Sequence, residues 1–198
     1  MVAKKGPKVF GNPLTTDVKR IAIGIDQSYS GFGITVMDMD SDDYHTTVFK
    51  GEGLGVERLV DIHHKLERII TDATLKLPFP SEVKVAMEGY AFGSQMANMA
   101  GELGAVVKMT LYGLFQKHHG KYPYIIPPTV LKKYVTGKGN GVQKNQILLQ
   151  VYKNWGVEFN DDNAADSYSL AHLVAGKGKL AHQREIYQNI QDPKYREK

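Results

Sequence analysis

Apolar and polar residues alternate with a period of two over residues 20–26, where Ile21, Ile23 and Ile25 are separated by Ala22 and Gly24. β-Branched residues on a two-residue repeat predict a strand, and this one ends on a carboxylate, Asp26. Ser28, Tyr29, Ser30 and Gly31 turn the chain, and residues 33–37 repeat the strand signal. Gly24 and Gly33 leave the backbone bare beside the acid, which allows close approach by another backbone or by a phosphate. An Asp- and Ser-rich turn at 40–43 leads into a third β-forming run, 44–50, which completes an antiparallel meander.

The period changes at Val56. Leu59, Ile62, Leu66, Ile69 and Ile70 fall on one helical face, and that helix must stop before Pro78. Residues 82–88 form the next strand, again ending on a carboxylate, Glu88. A turn carrying Tyr90 and Phe92 precedes a long helix at 94–118, apolar along Met96, Met99, Leu103, Val106, Val107, Leu111 and Leu114. The same helix carries small residues, Ala97, Ala100, Gly101, Gly104 and Ala105. Glycine inside a helix costs about 1 kcal/mol relative to alanine, so tight packing of another element is the expected compensation. A short strand at 122–126 is broken by Pro127 and Pro128 into a short basic helix at 129–135. A glycine-rich loop at 136–141 follows, then helices at 142–153 and 164–175. Five strands interleaved with helices in this order predict an α/β fold with a mixed sheet. Residues 1–18 read as a flexible basic arm, 19–176 as one domain, and 177–198 as a basic, polar tail.

A chain of 198 residues is long enough to bury a real core as one domain. It has no cysteine, which excludes thiolate metal sites, disulfides and a cysteine nucleophile together. No window approaches the roughly 18 unbroken apolar residues of a membrane span, and the basic N-terminus lacks a signal-type apolar region. These features fit a cytoplasmic protein. The net charge of +4 and a pI near 9.0 are mild, so the placement of charge matters more than its total. Lys132, Lys133, Lys138 and Lys144 form the informative cluster, since no acid interrupts it. It is either a solvated face or a surface for a polyanion. The adjacent pairs His63–His64 and His118–His119 do not share a helical face, so no zinc site is expected there. His172 and Trp155 read most simply as packing residues.

The acids are more telling. Asp26 and Glu88 end two strands, and Asp161, Asp162, Asn163 and Asp166 open the last helix. Singly, each has a structural reading, as a turn former, a helix cap or a partner of the helix dipole. If the two strands are neighbours, however, Asp26 and Glu88 lie side by side. Asp162 and Asn163 then share a helical face with Asp166, four and three residues before it. Three or four carboxylates in one place repel each other unless cations sit between them, and hard oxygen ligands suit Mg²⁺ or Mn²⁺. Two such ions about 4 Å apart can activate a water and stabilise the leaving oxygen of a phosphodiester.

Four groups of residues then fall in a recognisable order. They are Gly24-Ile25-Asp26 with Ser30 to Gly33, Ala86-Met87-Glu88 before an aromatic-bearing loop, Pro127 to Lys144, and Asn163-Ala164-Ala165-Asp166 running on to His172. Together they resemble the RuvC-type Holliday junction resolvases of the ribonuclease H-like superfamily, more the divergent phage and organellar members than the bacterial ones. The resemblance implies a ribonuclease H-like mixed five-stranded sheet flanked by helices. It also implies a metal-dependent, structure-selective endonuclease of DNA recombination and repair, acting on four-way and other branched DNA. Asp26, Glu88 and Asp166 would bind two Mg²⁺ or Mn²⁺ ions. Where the family places a fourth acid this chain has Asn163, so either Asp162 takes that role or Asn163 ligates through its amide oxygen. Lys144 resembles the lysine near the scissile phosphate, Lys132 or Lys133 the one on the preceding helix, and Lys138 extends the basic surface. Tyr90 or Phe92 would be the aromatic residue at the junction centre. The family pattern further implies a homodimer packed through the 94–118 helix, in a host-cell cytoplasm if phage-encoded or in an organelle. Two other readings remain open. One is a catalytically weak branched-DNA binder, prompted by Asn163. The other is an actin-like ATPase fragment, prompted by the hairpin after Gly24, although 198 residues is too short for the two domains such folds need.

Overall fold

Strand β2 (Arg20–Asp26) sorts its side chains by size, and the rest of the fold follows from that sorting. Ile21, Ile23 and Ile25 enter one apolar cluster, while Ala22 enters another on the opposite side of the sheet. The computed structural model describes residues 6–15, 17–74, 81–89, 97–117 and 119–196. Within them, β1 (Lys8–Gly11), β2, β3 (Phe32–Asp38), β4 (Tyr44–Phe49), β5 (Glu82–Glu88) and β6 (Tyr124–Ile126) form one sheet, ordered β1-β4-β3-β2-β5-β6. β2 pairs antiparallel with β3 and parallel with β5, so the meander and the parallel strands meet at β2.

The large-residue face packs under α1 (Val56–Thr74) and α2 (Ala97–Leu114). Ile62, Leu66 and Ile70 from α1 and Leu103, Val107 and Leu111 from α2 close over the isoleucines of β2, Ile34 and Val36 of β3, and Val83 and Val85 of β5. The small-residue face receives α5 (Asp162–Ala175), buried from Ser167 to Val174, with α3 (Pro128–Thr136), α4 (Lys144–Trp155) and α6 (Ala181–Asn189) around it. A β-carbon placed on Gly24 would lie 2.0 Å from the Ser167 carbonyl oxygen, and one on Gly33 would lie 2.3 Å from that of Asn163. The two glycines are what let α5 rest directly on the strands, at the end where the acids lie.

Two expectations need correcting. The sheet has six strands rather than five, because Lys8–Gly11, placed by sequence in a loose arm, pairs antiparallel with β4. That strand is largely exposed and has no apolar alternation, so its only signal is backbone pairing at a sheet edge. Past Ala175, where sequence suggested only a polar tail, α6 buries Ile186 and Gln183, and Ile190 follows it into the core. Arg196 then reaches back to Tyr124, stacking its guanidinium 3.5 Å from the ring centroid and donating to the hydroxyl at 2.6 Å. The long helix is described over Ala97–Leu114. No helix among the described residues is long and apolar enough to cross a membrane.

Candidate active site

Period two places Asp26 on the same side of β2 as Ala22 and Gly24, and Glu88 on the same side of β5 as Ala86. This is the side that α5 covers. Register pairs Ile25 with Met87, so Asp26 and Glu88 are the next residues along neighbouring strands. Their carboxyl groups are near enough to shift each other's protonation. Asp166, one turn into α5, faces the same spot, and Asp162 at the start of the helix adds its charge to it.

Electrostatics mark the cluster as under-neutralised. Burial, then the Glu88 and Asp166 charges, hold Asp26 well above the usual carboxylate range. Burial also raises Glu88, against the Asp26 carboxyl and the charges of Lys132 and Lys144. Asp166 is pushed up to about 7 by burial, then by Glu88 and Asp162, with Lys144 and Lys132 opposing. The protein therefore gathers more negative charge here than its own cations balance, which favours the protonated form of each of the three acids.

Lys144, the first residue of α4, forms an ion pair with Asp162, although its own side chain is 82% exposed. Lys132 on α3 acts on Glu88 and Asp166. Lys133 and Lys138 are exposed and are not among the charges that shift the acids. Thr136 Oγ1 holds the loop at Lys138, donating to its carbonyl at 3.0 Å and accepting from its amide at 3.1 Å. Asn163 is tied to the helix cap. Its side-chain amide and its backbone N–H each donate to Asp161 Oδ1 at 3.0 Å, and Lys8 bonds the other Asp161 oxygen at 2.6 Å. Tyr90 and Phe92 lie outside the described residues.

Two supports escaped the sequence reading. Gln27, next to Asp26, donates its amide to the Glu88 carbonyl at 3.0 Å and so ties the two strand ends together. Beneath the acids, Thr35 Oγ1 lies 2.7 Å from Thr46 Oγ1 and 3.0 Å from Ser167 Oγ, a buried hydroxyl chain joining β3, β4 and α5. The available signal was parity. Thr35 shares the α5 side of β3 with Gly33, where a polar residue needs a partner.

The donor set suits a hard divalent cation, being rich in carboxylate oxygen and short of positive charge. Among the described residues no three such side chains stand ready-made around one ion position. The Lys144 ammonium on Asp162 instead offsets part of the negative charge, and burial favours the neutral forms of Asp26 and Glu88.

Comparison with solved structures agrees with this architecture. Thermus thermophilus RuvC superposes with a TM-score of 0.61 at 19% identity, over 86% of this chain and 96% of that one. The T. thermophilus RuvC in complex with Holliday junction substrate gives 0.60 at 18%, over 84% and 96%. The chain has a RuvC-like, ribonuclease H-like fold. No family model and no curated protein sequence matches it.

Proposed function

We propose that this protein is a metal-dependent endonuclease that resolves four-way DNA junctions, and with them other branched DNA, by hydrolysing phosphodiesters. What carries the reading is that Asp26 and Glu88 on neighbouring central strands and Asp166 one turn into α5 are near enough to act on one another's charge, with charge left over for cations. The fold neighbours support it, one of them being a RuvC held with a Holliday junction. The resemblance in motif order is what favours a resolvase of the divergent phage and organellar kind.

Asp26, Glu88 and Asp166 hold two Mg²⁺ or Mn²⁺ ions, and Asp162, whose charge bears on both Asp26 and Asp166, serves as the fourth acid. Bound there, such ions supply an activated water and stabilise the leaving oxygen. Lys144 moves from Asp162 to the phosphate next to the scissile bond. Lys132, with Lys133 and Lys138 further out, binds the flanking backbone, and Tyr90 or Phe92 stacks on bases at the junction centre. The active species is a homodimer, which sets two such sites against one junction. The outer face of α2 suits that role. Met109 is 74% exposed and Tyr112 53%, and a β-carbon added at Gly101 or Gly113 would meet nothing within 4 Å.

The deciding experiment is cleavage of a synthetic four-way junction in Mg²⁺ or Mn²⁺ by the native chain and by Asp26→Asn. The native chain should cut. The variant should lose cleavage by at least about 10²-fold yet still retard the junction, because its basic surface is intact. Binding without cleavage by the native chain would leave the branched-DNA binder as the correct reading.

A further inference from the structure

A second site lies further along α5. A cavity of about 270 Å³ is lined by Asp42, Trp155, Val157, Tyr168, His172, Lys177 and Lys179. These come from the β3–β4 turn, the end of α4, the loop after it, α5, and the loop before α6. At 100° per residue Tyr168 lies about 200° round the helix from Asp166, and His172 is about 9 Å further along the axis. The cavity is thus separate from the acidic cluster.

Three rings build one wall. The Trp155 and His172 centroids are 4.1 Å apart, Trp155 and Tyr168 5.7 Å, and Tyr168 and His172 5.9 Å. Tyr168 and His172 are each only 4% exposed. His172 spends Nδ1 on the Tyr134 hydroxyl at 2.8 Å. Among the described residues neither His172 Nε2 nor the Tyr168 hydroxyl has a hydrogen-bond partner, although both side chains line the cavity. Neither atom is sealed from solvent, so both face the cavity and are open to a ligand with polar atoms on its edge. The other boundary carries two lysines against one carboxylate, Asp42. Lys177, with its side chain 16% exposed, donates to the Ser41 carbonyl and lies 3.5 Å from Asp42, while Lys179 is exposed beside it.

We propose that this cavity binds a nucleotide, its base against the Trp155–His172–Tyr168 wall and its phosphate on Lys177 and Lys179. A purely apolar ligand would leave the Tyr168 hydroxyl and His172 Nε2 unpaired. A bare anion would leave the ring wall uncovered. A flat ring with polar edges and an anionic end satisfies both, and the volume is close to the lower end of small-ligand pockets. The nucleotide is either free or the end of a DNA strand, since the same chemistry reads both. The assignment does not depend on nuclease activity.

The test uses the chain's own reporter. Trp155 is its single tryptophan, so intrinsic fluorescence reads the cavity wall directly. The full-length protein is titrated with nucleoside 5′-monophosphates, with a short 5′-phosphorylated single strand, and with inorganic phosphate. Saturable change with a monophosphate assigns a free nucleotide. Change only with the single strand assigns a strand end. In either case Lys179→Glu should weaken binding at least tenfold and Tyr168→Phe several-fold, with far-UV circular dichroism and melting temperature retained. The Lys179 side chain makes no hydrogen bond or ion pair among the described residues, so its replacement leaves no such partner unpaired. No saturable change, equal affinity for inorganic phosphate alone, or indifference to Lys179→Glu would overturn the assignment.

Discussion

The Lys144 ammonium sits on Asp162, bridging the first residue of α4 and the first residue of α5 beside the buried acids. In that position it does part of what a divalent cation would do, lowering the repulsion around Asp166. A lysine and a metal ion therefore compete for one carboxylate. Lys144→Met should tighten Mg²⁺ binding, by about two- to tenfold from the loss of a charge-assisted pair, while slowing junction cleavage by tenfold or more. Calorimetric titration with Mg²⁺ and single-turnover cleavage check the two halves. Weaker Mg²⁺ binding in the variant would show that the lysine does not compete for the site.

Protonation gives an independent handle on the cluster. Asp166 is pushed up to about 7 in the fold, against an ordinary value of 3.8, so between those limits the native state keeps a proton that the unfolded chain has released. Stability from this group is therefore lost as pH rises through that window, by at most about 4 kcal/mol if burial acts in full. His172 runs the other way. Burial lowers it to about 3 from 6.5, so its contribution is complete above 6.5 and is lost as pH falls. In the metal-free native chain the two trends partly cancel. The melting temperature of Asp166→Asn relative to the native chain should climb from pH 4 to pH 7 and then level off. Mg²⁺ should raise the melting temperature of the native chain at pH 8, but not at pH 5 nor in the variant. A pH-independent difference between the two proteins would remove the electrostatic account of the site.

Much of this layout was legible because it depends on short-range pattern. Ile21, Ile23 and Ile25 announce β2, and the shared parity of Asp26 with Gly24 and of Glu88 with Ala86 puts both acids on one side of the sheet. Lys8–Gly11 was not legible, since an exposed edge strand is held by β4 and has no buried stripe to reveal it. Gln27 escaped for a related reason: what it does depends on β5 lying alongside β2, a contact 61 residues away in sequence. The aromatic cavity was equally hidden, because Trp155, Tyr168 and Lys177 converge only once α4, α5 and the following loop are packed.

Gly24 is the position where fold and site are the same problem. A β-carbon there would stand 2.0 Å from the Ser167 carbonyl oxygen and 2.4 Å from the Ala171 nitrogen, both backbone atoms of α5. The helix would have to move off the sheet, and Asp166 with it. Gly24→Val should cost about 3 kcal/mol or more in urea unfolding, at the upper end for overpacking, and should abolish the Mg²⁺-induced rise in melting temperature. Gly101→Ala is the control. Within one chain it has open space at its β-carbon and removes a mid-helix glycine, so at concentrations where the chain is monomeric it should hold or gain up to about 1 kcal/mol. Equal losses in the two variants would mean that close packing of α5 is not what Gly24 provides.

The outer face of α2 offers the last test, because one residue on it separates assembly from chemistry. Leu103, Val107 and Leu111 bury the inner face, leaving Met109 and Tyr112 exposed on the other. A two-fold pairing of this face would bring each Met109 against the same helix of a second copy, with Gly101 and Gly113 allowing close approach of the backbones. A carboxylate buried at such an apolar contact loses its water without gaining a partner, which costs several kcal/mol and is enough to shift a dimer to monomer. Met109→Glu should therefore sediment as a monomer with its melting curve and Mg²⁺ response retained, while paired cuts across a junction fall to single nicks. A monomeric native chain that still makes paired cuts would place the second active site somewhere other than across α2.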